Sequence, residues 1–178
     1  MERTDILPAG NDRAGWAARL TPAEVRLRLA DRAPGPDRGS VFGATGQRGD
    51  HELNPGMFPV GELRAAAVLV PLVDRAQGLS VLLTQRTENL SKHAGQIAFP
   101  GGSMEESDSD AEATALLGAE EEIGLDRLHV EPVGRLDRYV TRTGFTVTPV
   151  VAIVRPPFAL TLDPAEVAGF LGCYGIPF

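Results

Sequence analysis

The chain has 178 residues, enough for one domain with a sizeable core, and its 43% apolar and 23% charged residues are the ordinary balance of a globular protein in water. Its 17 Lys and Arg against 24 Asp and Glu give a formal charge of -7, which argues against binding nucleic acid polymers, whose phosphates call for a basic surface. No apolar stretch approaches the ~20 residues that cross a bilayer, the opening MERTDILPAGNDRAGWAARL has no apolar core of a secretory signal, and the one cysteine, Cys173, cannot form an internal disulfide. Together these features predict a cytoplasmic protein with no membrane partner.

Residues 1–20 are polar and small, with little to order them. A helix is expected from Thr21, where Thr21-Pro22-Ala23-Glu24 supplies a capping Thr, a proline at the first helical position and a Glu three residues on. Residues 33–62 are rich in Gly, Pro, Asp and Arg and read as a long loop. The apolar run Arg64–Val73, the turn Asp74–Gly78 and the run Ser80–Arg86 predict a β-hairpin. A polar loop through His93, the short run Gln96–Phe99 and Pro100-Gly101-Gly102 follow. The clearest helix is Ser109–Ile123, with Ser109 and Glu112 as a capping box and Gly124 as a left-handed terminator. Ala115, Leu116, Ala119 and Ile123 form its apolar face. Strands at about 128–140 and 144–154 complete a mixed α/β order, with the helix on one face of the sheet.

Glu120, Glu121 and Glu122 crowd the last turn of this helix, where the dipole already carries partial negative charge. Two readings stand: a solvated acidic face, or a site for a divalent cation, since hard cations take carboxylate oxygens. A third carboxylate on the same face would have to come from position 118, one turn earlier, which is glycine. Upstream, Gly101 and Gly102 form either an ordinary turn or a loop that lets backbone approach a phosphate.

Gly102, a loop, a helix and Glu121-Glu122-Ile123-Gly124-Leu125 resemble the Nudix box, a glycine and a spaced glutamate followed by Arg-Glu-apolar-any-Glu-Glu-any-Gly-apolar. Leu82–Leu90, with His93 and Gly95–Gly102, is similar to a second motif of the coenzyme A pyrophosphatase branch of that family. The resemblance covers roughly residues 60–168 and implies an α/β/α sandwich around a mixed β-sheet, within a domain of residues 41–178 behind an N-terminal extension of residues 1–40. It implies that Mg²⁺ or Mn²⁺ assists attack of water on a small-molecule phosphoanhydride, coenzyme A or a related nucleotide derivative. By position, Glu121 and Glu122 are then the catalytic metal ligands, and Arg86, His93, Gly101 and Gly102 bind substrate. Glu166 reads either as a further group of the site or as an ordinary helix-start residue.

The sequence departs from the family pattern at three places. The Arg-Glu pair falls on Leu117-Gly118, so a metal ligand and the arginine that orients the glutamates are both replaced. Gly118 inside a helix is expected to cost about 1 kcal/mol relative to alanine. The earlier glutamate aligns with Ser109, flanked by Asp108 and Asp110. Members of the branch continue past the equivalent of Val167 with a strand and a helix, whereas Ala168–Phe178 has no clear amphipathic pattern; packing on the core and mediating a homodimer are its two readings. A pyrophosphohydrolase of weakened activity is therefore expected, the alternatives being a catalytically silent protein that binds coenzyme A or a nucleotide and an interaction protein that keeps only the fold.

Overall fold

The computed structural model describes residues 20–30, 48–54, 61–88 and 94–174; the polar N-terminal stretch and His93 lie outside the described residues. In chain order the elements are α1 (Pro22–Ala30), β1 (Arg48–Gly49), α2 (Asp50–Leu53), β2 (Arg64–Arg75), β3 (Gly78–Arg86), β4 (Ile97–Ala98), β5 (Gly101–Ser103), α3 (Ala111–Ile123), a 3₁₀ turn (Arg127–His129), β6 (Val130–Arg135), β7 (Tyr139–Val140), β8 (Phe145–Val154) and β9 (Val167–Tyr174). The strands form one mixed sheet along the path β1-β7-β8-β2-β3-β4, with β5 on β2, β6 on β8 and β9 on β3.

The centre of the sheet is the parallel pair β2 and β8, in register from Arg64 opposite Phe145 to Val73 opposite Val154. Strands covered on both faces need apolar residues at every position, which is why both segments read as nearly continuous apolar runs. Alternation then sorts the side chains. Leu72, Val151 and Ile153 face α1, where Val25 and Leu29 cover them. Ala67, Leu69, Val73, Val150, Ala152 and Val154 face α3, against Ala111, Ala115, Ala119 and Ile123. The result is the expected α/β/α sandwich, with α1 and α3 on opposite faces.

Local signals hold at α1, where Thr21 N–H donates to Glu24 Oε2 at 2.8 Å and Glu24 N–H to Thr21 Oγ1 at 3.3 Å. They hold too at the end of α3, where Gly124 (φ 63°) turns left-handed and its N–H reaches the carbonyls of Ala119 and Glu120.

Other expectations are corrected. The cap of α3 is Asp110, which accepts from Ala113 N–H at 3.0 Å, and the helix starts at Ala111, two residues after Ser109. The stretch read as a long loop contains β1 and α2, because Asp50 accepts from Tyr139 Oη and Arg142 N–H, both at 2.7 Å, and pins the segment to β7. The single strand expected over 128–140 is a 3₁₀ turn and two strands, with a register shift between Pro132 and Gly134 where the ladder is irregular. Gly101–Ser103, read as a turn or loop, adds to β2 opposite Ala66–Val68. Residues 167–174 form β9 on β3, so the end that showed no amphipathic pattern packs on the sheet.

Asp110→Ala should destabilise the protein by about 1 kcal/mol, the usual cost of losing an N-cap, while Ser109→Ala should leave the urea midpoint nearly unchanged. Equal losses in the two variants would return the cap to Ser109.

Candidate active site

The three consecutive glutamates at the end of α3 have separate fates. Glu120 is exposed and pairs with Arg127, Nε to Oε2 at 2.8 Å. Glu121 is exposed to solvent. Glu122 points inward and is only 6% exposed. Arg86, at the end of β3, brings Nη1 to 4.0 Å from Glu122 Oε1, and a Gly101 backbone hydrogen bond also reaches this carboxylate. Burial, followed by the repulsion of Glu166, pushes the Glu122 carboxyl up to about 7 against the pull of Arg86 and Gly101, and Glu121 adds to the rise.

Glu166 belongs to this cluster for a topological reason. The last carbonyls of a helix lack intrahelical partners, and the chain after β8 returns to satisfy two of them: Thr161 N–H donates to Ile123 O and Asp163 N–H to Glu122 O, each at 2.9 Å. Asp163 O then accepts from Glu166 N–H at 3.1 Å and Val167 N–H at 2.8 Å. From the other side, Thr87 N–H donates to Glu166 O at 3.0 Å and Thr87 Oγ1 to Ala165 O at 3.2 Å. The segment is thus stitched between the end of α3 and the end of β3, and Glu166 lies in a turn leading into β9. It is not a helix start.

The glycines divide in role. Gly101 (φ 156°) has the β2 backbone at Ala67 and Val68 on one side. On its other side lies α3, because a Cβ built at Gly118 would stand 2.7 Å from Gly101 Cα and 2.8 Å from its carbonyl carbon. Gly101 is therefore a packing residue whose backbone also serves Glu122. Gly102 is open: a Cβ there would meet no atom within 4 Å. Gly118 is not simply a weak helix residue, since it allows α3 to rest on the backbone of β5. Asp108 and Asp110 are held elsewhere. Asp108 accepts from Glu105 N–H and Thr114 Oγ1, at 2.9 and 2.7 Å. Asp110 caps α3 about 16 Å along the helix from Glu121.

Whether this donor set suits a divalent cation can be judged from its chemistry. Glu121, Glu122 and Glu166 offer only hard oxygen donors, and burial first, then the nearby carboxylates, raise the Glu122 carboxyl beyond what Arg86 offsets. Among the described residues no three His, Cys, Asp or Glu side chains are arranged as a ready metal cage. Mg²⁺ ordinarily needs only one or two carboxylates plus water and substrate phosphates, so the set fits a cation that arrives with its phosphates. Arg86 Nε is buried without a hydrogen-bond partner among the described residues, while the guanidinium side chain as a whole is 28% exposed and leaves a cationic edge suited to the same phosphates.

Two predictions follow from this packing. Gly118→Ala should lower stability despite alanine's better helix propensity, because the new methyl meets backbone that cannot swing aside; a higher melting temperature would show that α3 can lift from Gly101. Glu122 keeps its proton to higher pH in the folded state than in the unfolded chain, so its contribution to stability is full below pH about 4.5 and lost as pH rises to about 7. Melting temperatures of wild type and Glu122→Gln between pH 5 and 8 should diverge, the variant losing less, and Mg²⁺ at pH 8 should raise only the wild type. Parallel pH curves would contradict the buried carboxyl.

Comparison with known proteins agrees with this geometry. The NUDIX domain family model matches residues 63–168. The Nudix hydrolase NudL of Escherichia coli (strain K12), itself described as uncharacterized, is 47% identical over 105 residues, which cover 59% of this chain and 54% of that protein. NudL of Citrobacter koseri is 48% identical over the same length. The chain thus spans about half the length of the curated relatives it matches. Among solved structures, the Nudix hydrolase RenU of M. smegmatis superposes with a TM-score of 0.52 at 23% identity, covering 64% of this chain and 71% of that one, a likeness of fold. A matched segment that holds the central sheet, α3 and the Glu122–Arg86 cluster makes this chain a member of the Nudix family.

Proposed function

We propose that the protein is a pyrophosphohydrolase that cleaves the phosphoanhydride of coenzyme A or a related nucleotide derivative with Mg²⁺ or Mn²⁺. The observation that carries the reading is the buried Glu122 carboxylate beside Arg86, with Gly101 N–H and Glu166 converging on it. Coenzyme A as the substrate rests on the second motif, Leu82–Gly102, whose Arg86 ends β3 at the cluster.

Glu121 and Glu122 would hold the cation together with water and the substrate phosphates, and when bound it would neutralise the diphosphate and acidify an attacking water. Arg86 binds a phosphate oxygen through the guanidinium edge that Glu122 leaves unused. Gly102, with open space beside it, lets substrate come close to the backbone. Glu122 stays in place because Arg86 and Gly101 hold it, whereas Glu121 and Glu166 are exposed and can pass the proton of water to solvent.

A second reading is favoured by one observation. Where the family pattern has a glutamate, Gly118 sits against Gly101, so the third carboxylate of α3 is missing and its place is closed by backbone contact. This supports a protein that binds the nucleotide with little turnover.

Coenzyme A hydrolysis by the purified protein with Mg²⁺ or Mn²⁺, followed by product chromatography, is expected to be slow but measurable, and Glu122→Gln should reduce it about 100-fold, the scale for losing one charge-organising group. Calorimetric binding of coenzyme A without turnover would establish the silent protein instead; neither binding nor turnover would remove coenzyme A as the ligand.

A further inference from the structure

Away from the charged cluster, the sheet ends on a strand whose outer edge is unguarded. β9 pairs with β3, Gly169–Tyr174 running in unbroken register opposite Gln85–Ser80, and no other described strand pairs with it. In an antiparallel ladder alternate residues aim N–H and C=O at a given neighbour, so every second residue of β9 aims them away from β3. Such an edge is a template for a further strand unless short length, charge, proline or a bulge blocks it. The other outer strands carry these blocks. β1 and β4 have two residues each. β6 has Pro132, a register shift between Pro132 and Gly134, and Glu131 clasped by Arg26 and Arg155. β9 is eight residues long, Val-Ala-Gly-Phe-Leu-Gly-Cys-Tyr, with no charge and no proline. Its one irregularity falls between Val167 and Gly169, before the straight run.

The α1 side of the sheet adds an apolar strip to this edge. Leu171 lies opposite Leu83, and Ile97 of β4 lies opposite Gln85, the next residue of β3 on that face. Leu83 and Leu171 are half-buried, and Ile97 is 58% exposed. On β3 the cluster beneath α1 reaches only to Val81, so the strip beyond it is left uncovered by that helix.

The charge of the chain and the symmetry of the strand select the occupant. At a formal charge of -7, two copies repel over most of their surface and least where neither bears charge, which is the condition along β9. An antiparallel strand pair is symmetric about a two-fold axis perpendicular to the sheet, so β9 complements itself and the contact closes at two copies. That axis keeps like faces together, and Leu171 of each copy then extends the apolar strip from one sheet into the other. We propose that β9 is the interface for a second copy of this chain, the two strands pairing antiparallel so that one sheet runs through the dimer.

Sedimentation equilibrium of the full chain should show a reversible monomer–dimer equilibrium with no larger species. Gly172 is exposed, and a Cβ there would meet no described atom within 4 Å, so it accepts a side chain without disturbing the fold. Two-fold pairing over Gly169–Tyr174 places position 172 opposite or diagonal to its own copy. Gly172→Glu and Gly172→Lys should therefore each weaken association more than about ten-fold, while Gly172→Ala keeps it and an equimolar mixture of the two charged variants regains it. Hydrogen exchange gives a second readout on the unaltered chain: amides within Gly169–Tyr174 should exchange more slowly as protein concentration rises. A monomer at every concentration overturns the proposal and leaves the edge to a strand of a different protein. Open-ended assembly, a dimer that survives both charged variants, a mixture that stays monomeric, or β9 exchange that ignores concentration overturns it as well.

Discussion

Helix α3 lies against the sheet at a distance that only small residues permit. Ala111, Ala115 and Ala119 face β2 and β8 with almost no exposure, and Gly118 touches the backbone of Gly101. Larger side chains at these contacts would lift the helix, because a packed interior has no spare volume to absorb them. The rest of the site depends on this approach. Glu122 is buried because its helix is so close, and it meets Arg86 because the end of β3 brings that side chain to 4.0 Å from it. The segment between β8 and β9 completes the arrangement by bonding to the free carbonyls at the same helix end.

The electrostatic outcome is unfavourable for stability taken alone. Negative charge gathers at the end of a helix whose dipole opposes it, and one carboxylate is buried with a single long contact to a guanidinium. A protein selected only for stability would carry apolar or basic groups here. Charge concentrated against local preference is characteristic of functional sites, where a ligand or cation supplies the missing complement. Gly118 modifies this picture in one respect: the carboxylate density of α3 is reduced, and Glu166 from a different part of the chain contributes to the field at Glu122.

Local patterns were reliable wherever the decisive contacts lie within a few residues. The Thr21–Glu24 box, the β2–β3 hairpin, the Gly124 terminator and the apolar β8 run are all of this kind. They failed where a distant partner decides. Gly101–Ser103 has the composition of a turn, and becomes a strand because β2 offers an unpaired edge opposite Ala66–Val68. Asp50 orders β1 and α2 through groups some ninety residues away in sequence. Ser109 and Asp110 are both capping residues; which of them caps is set by where α3 docks, and Asp110 also lies near Arg135 at 3.8 Å.

The sequence by itself determined the family resemblance, with Arg86 as a substrate-binding candidate that it implies, the α/β order and the central helix with its glutamates, because each rests on residue type at fixed spacing along one segment. Tertiary structure alone decided which glutamate is buried, that Gly101 and Gly118 are a packing pair, and that Glu166 belongs to the cluster. These last features depend on distances between segments far apart in the chain. Spacing within a segment sets which way a side chain leaves the backbone; what it meets there is set by how closely helix and sheet can pack.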